Sequence, residues 1–384
     1  MSVRSSLQTR ERVRGNTGSR ERWRVKSPAN SARVDLQVGS VGGEPVAARS
    51  EQRQVGAFAR PFQRRRYFAL LALIGGLGVL FAAGLLLYNN PVPVTKPGFW
   101  IVARLRADGL VAIAFAAVCH ALATVAFQTV TANRIITPSI IGFEALYTLI
   151  HTATVYFLGL GALVAFTGVG PFLLQVAAMV VLAVVLYSWL LSGRRGNMQV
   201  MLLVGIVLGS GLAAMASFMR RMLLPSEFDV LQARLFGSIN NADRSYYPYA
   251  LVLVLAAGVA LYAYSRQLNV IALGREACTS LGVNHRRGSV YVLTLVAVLM
   301  AVSTALVGPL TFFGFLTATL AYQAADTYDH RYLFPMAIAI GFAILTGAYF
   351  LMNHVFYAQG VVSIIIEMVG GLTFLVVIVK KGYL

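Results

Sequence analysis

Residues 67–89 read YFALLALIGGLGVLFAAGLLLYN, and Arg64, Arg65 and Arg66 stand directly before them. The run carries no charge, so a helix built from it is apolar on every side. A helix rises 1.5 Å per residue, and about 20 apolar residues cross the roughly 30 Å of hydrocarbon in a bilayer. Comparable runs follow at 109–131, 139–158, 170–192, 199–222, 247–265, 288–307, 309–325, 334–353 and 361–379, which makes ten candidate spans. The run at 309–325 is short and starts just after its predecessor, and 361–379 contains Glu367. Lipid offers no partner for a free backbone N–H or C=O, so such runs must be helical. A β-barrel would show alternating segments of about 10 residues, and none occur. The expected fold is all-α: a polytopic membrane protein of about ten transmembrane helices.

Composition agrees. Of 384 residues, 58% are hydrophobic and 12% charged, with a mean hydropathy of +0.72. Soluble domains have about 45–50% apolar and about 25% charged residues, so an ordinary soluble enzyme is excluded, as is a chain disordered throughout. The net charge is +18, of which residues 1–66 supply 15 Lys/Arg against 5 Asp/Glu. More than half of the excess therefore sits on a short tail rich in Arg, Ser, Gly and Gln. This tail, 1–66, reads as a disordered basic cytoplasmic segment ahead of a membrane domain over 67–384. It is not a secretory signal, because about sixty polar residues precede the first apolar run. Basic residues beside spans set orientation and meet anionic lipid headgroups, which explains the charge without a nucleic acid. With the N-terminus inside, 25 Lys/Arg lie on the inner side and 7 on the outer. Both termini are then cytoplasmic.

Covalent chemistry finds no support. There is no G-x-x-x-x-G-K-[ST] phosphate loop, no G-x-S-x-G and no H-E-x-x-H. The five histidines never approach metal-ligand spacing, and Cys119 and Cys278 suggest neither a disulfide nor a zinc site. No cofactor is expected.

Two connections exceed a tight turn. Residues 223–246, on the outer side, contain an amphipathic piece from Phe228 to Phe236 that is expected to form a short surface helix. Residues 266–287, on the inner side, read RQLNVIALGREACTSLGVNHRR and fall into two short apolar-faced pieces split at Gly274 and Gly282.

The stretch LNVIALGREACTSLGV within this inner connection resembles the cytoplasmic coupling segment of permeases in iron-siderophore and cobalamin ABC importers. NRIITPSIIGFEALYTLI, around Asn133 and Pro138, resembles the family's loop between spans two and three. VGPLTFFGFLTATLAYQ followed by DHRYLFP resembles its spans seven to nine, and AQGVVSII running into VGG resembles the start of its last span. The four blocks stand in the family's order and cover about 67–384. TPSIIGFEALY and TFFGFLTATLAYQ are most similar to the subgroup that imports ferric catecholate-type siderophores. The chain departs from the family at Asn133-Arg134, where Asn-Pro is usual, and near Thr317, where a Pro is usual. It also has Leu351-Met352-Asn353-His354 where cobalamin permeases often carry an Arg.

The resemblance implies a permease in the bacterial inner membrane, paired with a second permease chain. A cytoplasmic ABC ATPase dimer would sit beneath the pair, and an extracytoplasmic siderophore-binding protein would dock outside. On the resemblance, Leu273, Gly274, Glu276, Ala277 and Gly282 belong to the ATPase-coupling segment, where small residues allow a close fit. Met198 and Gln199 stand at the cytoplasmic gate, or in a plain turn after Gly196. Arg104 fits a basic position that salt-bridges an acidic lobe of the binding protein, with Arg106 beside it; the other reading is a snorkelling anchor. Glu144 and Glu367 are carboxylates inside spans, where a charge costs ~2.5–3.5 kcal/mol on insertion scales. They line a wet path, or they hydrogen-bond a neighbouring helix. Gly205, Gly209 and Gly211 form a small-residue packing surface. Two other classes stay open on the residues alone: an ion-coupled secondary transporter using Glu144 and Glu367, and a membrane scaffold whose tail recruits partners. Neither needs a coupling segment at 266–287.

Overall fold

The computed structural model describes residues 56–58, 60–93, 95–165, 167–192, 198–239, 242–355 and 362–382. The expected disordered tail, 1–66, lies outside the described residues up to 55, and its end differs from the expectation, because Pro61 to Arg66 form the first turns of the helix Pro61–Leu87. The chain forms thirteen α-helices among the described residues: α1 (Pro61–Leu87), α2 (Pro97–Val130), α3 (Phe143–Ala165), α4 (Val169–Ser192), α5 (Met198–Arg221), α6 (Pro225–Leu235), α7 (Tyr247–Ala263), α8 (Ser265–Ile271), α9 (Arg275–Ser280), α10 (His285–Val307), α11 (Phe313–Ala325), α12 (His330–His354) and α13 (Val362–Gly382). A 3-10 turn over Pro138–Ile141 precedes α3, and another over Arg244–Tyr246 leads into α7. Prolines open α1, α2 and α6, where the missing N–H is one that no helix bond would use.

Among the described residues eight helices are long and apolar enough to cross a membrane, and they answer to eight of the ten expected spans. The candidate at 309–325 is different. α10 stops at Gly308, whose φ of +92° ends the helix, and the chain restarts as α11 with only 13 residues. At 1.5 Å per residue α11 is about 20 Å long, short of the hydrocarbon thickness. The last candidate, 361–379, lies within α13 from Val362 onward.

Burial ranks the helices. α2 and α10 are buried over most of their apolar length. α10 packs against α2, α4 and α7, while α12 packs against α1, α2 and α11. By contrast α1 has few buried residues: Leu73, Val79 and Leu80 are all exposed, which suits a lipid-facing helix.

Irregular backbone at membrane depth is tolerated where protein satisfies it. The breaks at 236–239 and 308–312 do this for each other. Ser238 N–H donates to Val307 O at 2.8 Å, closing the end of α10. A Cβ on Gly237 would collide with Pro309 O, and one on Gly308 would lie 3.1 Å from Gly237 Cα. The outer amphipathic piece is helical, as α6, but it does not simply lie on the surface. Leu231 and Leu235 are buried, with α3 packed beside the helix, and only its other face, with Phe228 and Val230, is exposed.

Candidate transport site

Three features of the bundle stand out: a polar cleft, the short helix pair α8–α9, and the start of α2.

The cleft has a volume of about 460 Å³ and is lined by Glu144, Thr148, Ser210, Arg220, Gln232 and Glu367. Glu144 lies in the first turn of α3, where the helix dipole favours a carboxylate. Thr311 Oγ1 donates to Glu144 Oε2 at 2.7 Å. The other oxygen of Glu144, Oε1, is buried without a hydrogen-bond partner, with Ser139 and Leu310 close by. Glu367, from α13, lines the same cleft near Thr311. The break before α11 thus brings two carboxylates close to one hydroxyl, about 20 Å from the far end of α11 by helix rise. Glu144 is hydrogen-bonded to a neighbouring segment, and both carboxylates stand in the wall of a polar cleft.

The floor of this region depends on glycine. Gly205 and Gly209 of α5 face the turn Ile141–Gly142. A Cβ on Gly205 would collide with the Ile141 side chain, and one on Gly209 would lie 3.0 Å from Gly142 Cα. Gly142 itself has φ +112°. Gly211 has open space around it, so it does not belong to that seam.

The connection 266–287 folds into a pair of short helices, α8 and α9, joined through Leu273-Gly274. Gly274 has φ +93° and Gly282 φ +73°, so each turn needs a left-handed residue. Leu268, Ile271 and Cys278 are buried and anchor the pair. Cys278 Sγ donates to Val270 O at 3.2 Å, and burial raises its thiol pKa. On the other side Leu273 and Leu281 are 64% and 60% exposed, Glu276 is exposed, and Ala277 is half-buried. A leucine-flanked exposed face on an anchored helix pair is suited to a protein partner. Met198 and Gln199 form the first residues of α5; Met198 is half-buried and Gln199 exposed.

At the outer side, Arg104 lies 26 residues before Val130 on α2, about 39 Å along the axis and beyond the hydrocarbon measured from that end. Its side chain is exposed, beside exposed Trp100 and Ile101. Arg106 is engaged differently. Its Nη1 donates to Tyr88 O at 2.9 Å and Leu85 O at 3.3 Å, and its Nη2 to Asn89 O at 3.2 Å. It closes the last carbonyls of α1, a role that α1's own composition does not announce.

His151 pairs with Gln175 of α4 at 3.4 Å. Neither nitrogen of His120 has a hydrogen-bond partner; the ring lies edge-on to Phe313. No group of three ligating side chains forms a metal site among the described residues.

Comparison with known proteins gives one consistent picture. A petrobactin import system permease protein of Bacillus anthracis is 55% identical over 332 residues, covering 86% of this chain and 94% of that protein. A second such permease, from Bacillus subtilis, is 33% identical and covers 81% and 97%. Among solved structures, a metal-chelate type ABC transporter in an inward-facing conformation superposes with a TM-score of 0.66 at 20% identity, covering 82% of this chain and 99% of that one; it shares the fold. The model of the FecCD transport family matches residues 66–380, and the chain belongs to that family.

Proposed function

We propose that this chain is the membrane permease subunit of an ATP-driven importer of ferric siderophores, petrobactin being the first candidate because relatives at 55% and 33% identity import it. A second permease chain completes the path, an ABC ATPase dimer docks beneath, and a siderophore-binding protein docks outside. The chain moves cargo and makes no covalent bond. The observation that carries this reading is the α8–α9 pair, anchored by Leu268, Ile271 and Cys278 and exposing Leu273, Glu276 and Leu281. A connection that merely rests on headgroups needs no such anchored face.

In this reading the ATPase grips Leu273, Gly274, Glu276, Ala277 and Gly282, and Met198 and Gln199 guard the inner mouth. Glu144, held by Thr311, and Glu367 line the path. With Arg220 and Gln232 in the same lining, they give it polar walls for a hydrophilic chelate. Arg104 contacts an acidic lobe of the binding protein, while Arg106 holds the end of α1 in place beside it.

The test is reconstitution of the chain with its neighbouring ATPase, second permease and binding protein in proteoliposomes. Uptake of radiolabelled ferric petrobactin is expected to require internal or external ATP at the ATPase face and to survive a protonophore. Uptake that runs on an ion gradient without ATP would overturn the proposal in favour of a secondary transporter.

Docking at Arg104 has its own expected outcome. An exposed ion pair contributes ~0.2–1 kcal/mol and is screened by salt, so Arg104→Glu should weaken binding-protein affinity roughly 1.5- to 5-fold at low salt. The on-rate should carry much of that loss, and ATPase association should be unchanged. Unchanged affinity at low salt, measured by surface binding to nanodisc-held permease, would make Arg104 a helix anchor.

A further inference from the structure

A chain of buried polar contacts runs from the α8–α9 pair into the bundle. Asn269, on α8, accepts from the His330 backbone N–H at 3.1 Å and lies 2.5 Å from His330 Nδ1 through the same Oδ1. Its Nδ2 donates to Asp329 Oδ1 at 3.0 Å, which fixes the amide's orientation. Asp329 in turn caps α12 through the Arg331 N–H at 3.1 Å. Because Asn269 Oδ1 only accepts, His330 Nδ1 carries a hydrogen. On the other side of the ring, His330 Nε2 lies 2.7 Å from Thr129 Oγ1 of α2. Tyr322, on α11, stands beside the same Thr129, and Arg134 stacks over the Tyr322 ring at 4.6 Å.

Three elements therefore meet at His330, α8, α12 and α2, and α11 packs against α2 and α12 beside them. His330 is 3% exposed and Thr129 8%, so the inner half of the chain is dry and its bonds are costly to leave unmade. Asn269 is only half-buried, so water can replace its half. Thr129 also has a fallback, since Val125 O lies 2.8 Å from its hydroxyl. The contact at His330 can thus open without stranding Thr129 or Asn269, which a purely static brace would not require. α11 then leads from Tyr322 to Thr311, where Glu144 and Glu367 converge.

We propose that Asn269–His330–Thr129 is a latch that makes the α8–α9 pair move as one body with α2, α11 and α12, and so carries the partner's stroke to the polar cleft. His330 is the positioning residue of this latch. The proposal rests on the reading of α8–α9 as the ATPase-docking face. A shared polar network is a physical connection, and its claim to couple two sites requires energetic evidence.

The experiment uses the complete reconstituted complex with Asn269→Ala, His330→Asn and the double variant. Three quantities are read: ATPase co-purification, melting temperature, and ferric petrobactin imported per ATP hydrolysed. Each single variant should retain the ATPase and hydrolyse ATP in response to loaded binding protein, while import per ATP falls about fivefold or more. The double variant should fall no further than the worse single variant, because both break one latch. An unchanged import ratio, additive losses, or a fall that only follows loss of ATPase or of melting temperature would overturn the latch and leave His330 a packing residue. A wild-type complex that recruits no ATPase would overturn the functional reading and the latch together, whereas a working wild type with an unchanged ratio overturns the latch alone.

Discussion

Glu276→Arg is expected to leave the protein in the membrane at its normal level while ATPase association and siderophore uptake collapse. Glu276 is exposed in the first turn of α9, and α9 is held by Cys278, which is fully buried on the opposite side. The substitution therefore leaves the anchor intact. It does cost the favourable placement of a carboxylate at a helix N-terminus, ~0.3–1 kcal/mol, which a helix pair clamped by buried Leu268 and Ile271 can absorb. The main effect lies at the interface. In the proposed reading Glu276, exposed on this face, pairs with a basic group of the ATPase. Reversing the charge replaces an attraction by a like-charge contact that costs several kcal/mol in a desolvated interface. A loss of ~2 kcal/mol is about a 30-fold weaker association. Glu276→Gln, which removes the charge without reversing it, should fall between the two. Quantitative pull-down of the ATPase from detergent extracts, with uptake measured in the same cells, decides the matter. Normal association and normal uptake in the Arg variant would remove Glu276 from the docking face.

Gly209→Val should be strongly damaging to the bundle. At this point α5 and the turn before α3 meet backbone to backbone, with the position of an added Cβ 3.0 Å from Gly142 Cα. No side chain stands between them that could rotate away. Gly142 is equally constrained, because its φ of +112° strains any L side chain. Overpacking of a well-packed seam costs ~1–3 kcal/mol, and separation of two backbones belongs at the upper end of that range. The turn carries Ser139 and leads directly to Glu144, so a displaced seam also disturbs the carboxylate held by Thr311. The expected result is a lower melting temperature, a lower yield of monodisperse protein and loss of uptake. Gly211→Ala is the matched control: nothing lies within 4 Å of its added Cβ, and it should behave as wild type. An unchanged melting temperature for Gly209→Val would mean that the α5 seam is looser than its geometry implies.

Much of the molecule is legible along the chain. Apolar length and the absence of charge identify the spans, because crossing a bilayer is a local demand that each segment meets by itself. The glycines at 274 and 282 mark the two turns of the inner connection, because a left-handed backbone position is also a local requirement. The family blocks around Pro138, Gly274 and Phe313 carry the functional reading for the same reason, since each is a contiguous motif. Other features depend on partners far away in sequence. The run at 309–325 looks like a span, yet only the packing of Gly308 on Gly237 shows that it divides into a break and a 13-residue helix. Glu144 and Thr311 are 167 positions apart and Thr129 and His330 are 201, so neither the Thr311–Glu144 bond nor the latch has any neighbour-level signature. Gly205, Gly209 and Gly211 look equivalent in sequence, and only the position of Gly142 separates the first two from the third. Arg104 and Arg106 likewise differ only because the end of α1 comes within reach of one of them. Hydrophobic patterning records which residues leave water; it holds no information about which buried polar group will meet which, and that choice is made by the tertiary packing that brings their helices together.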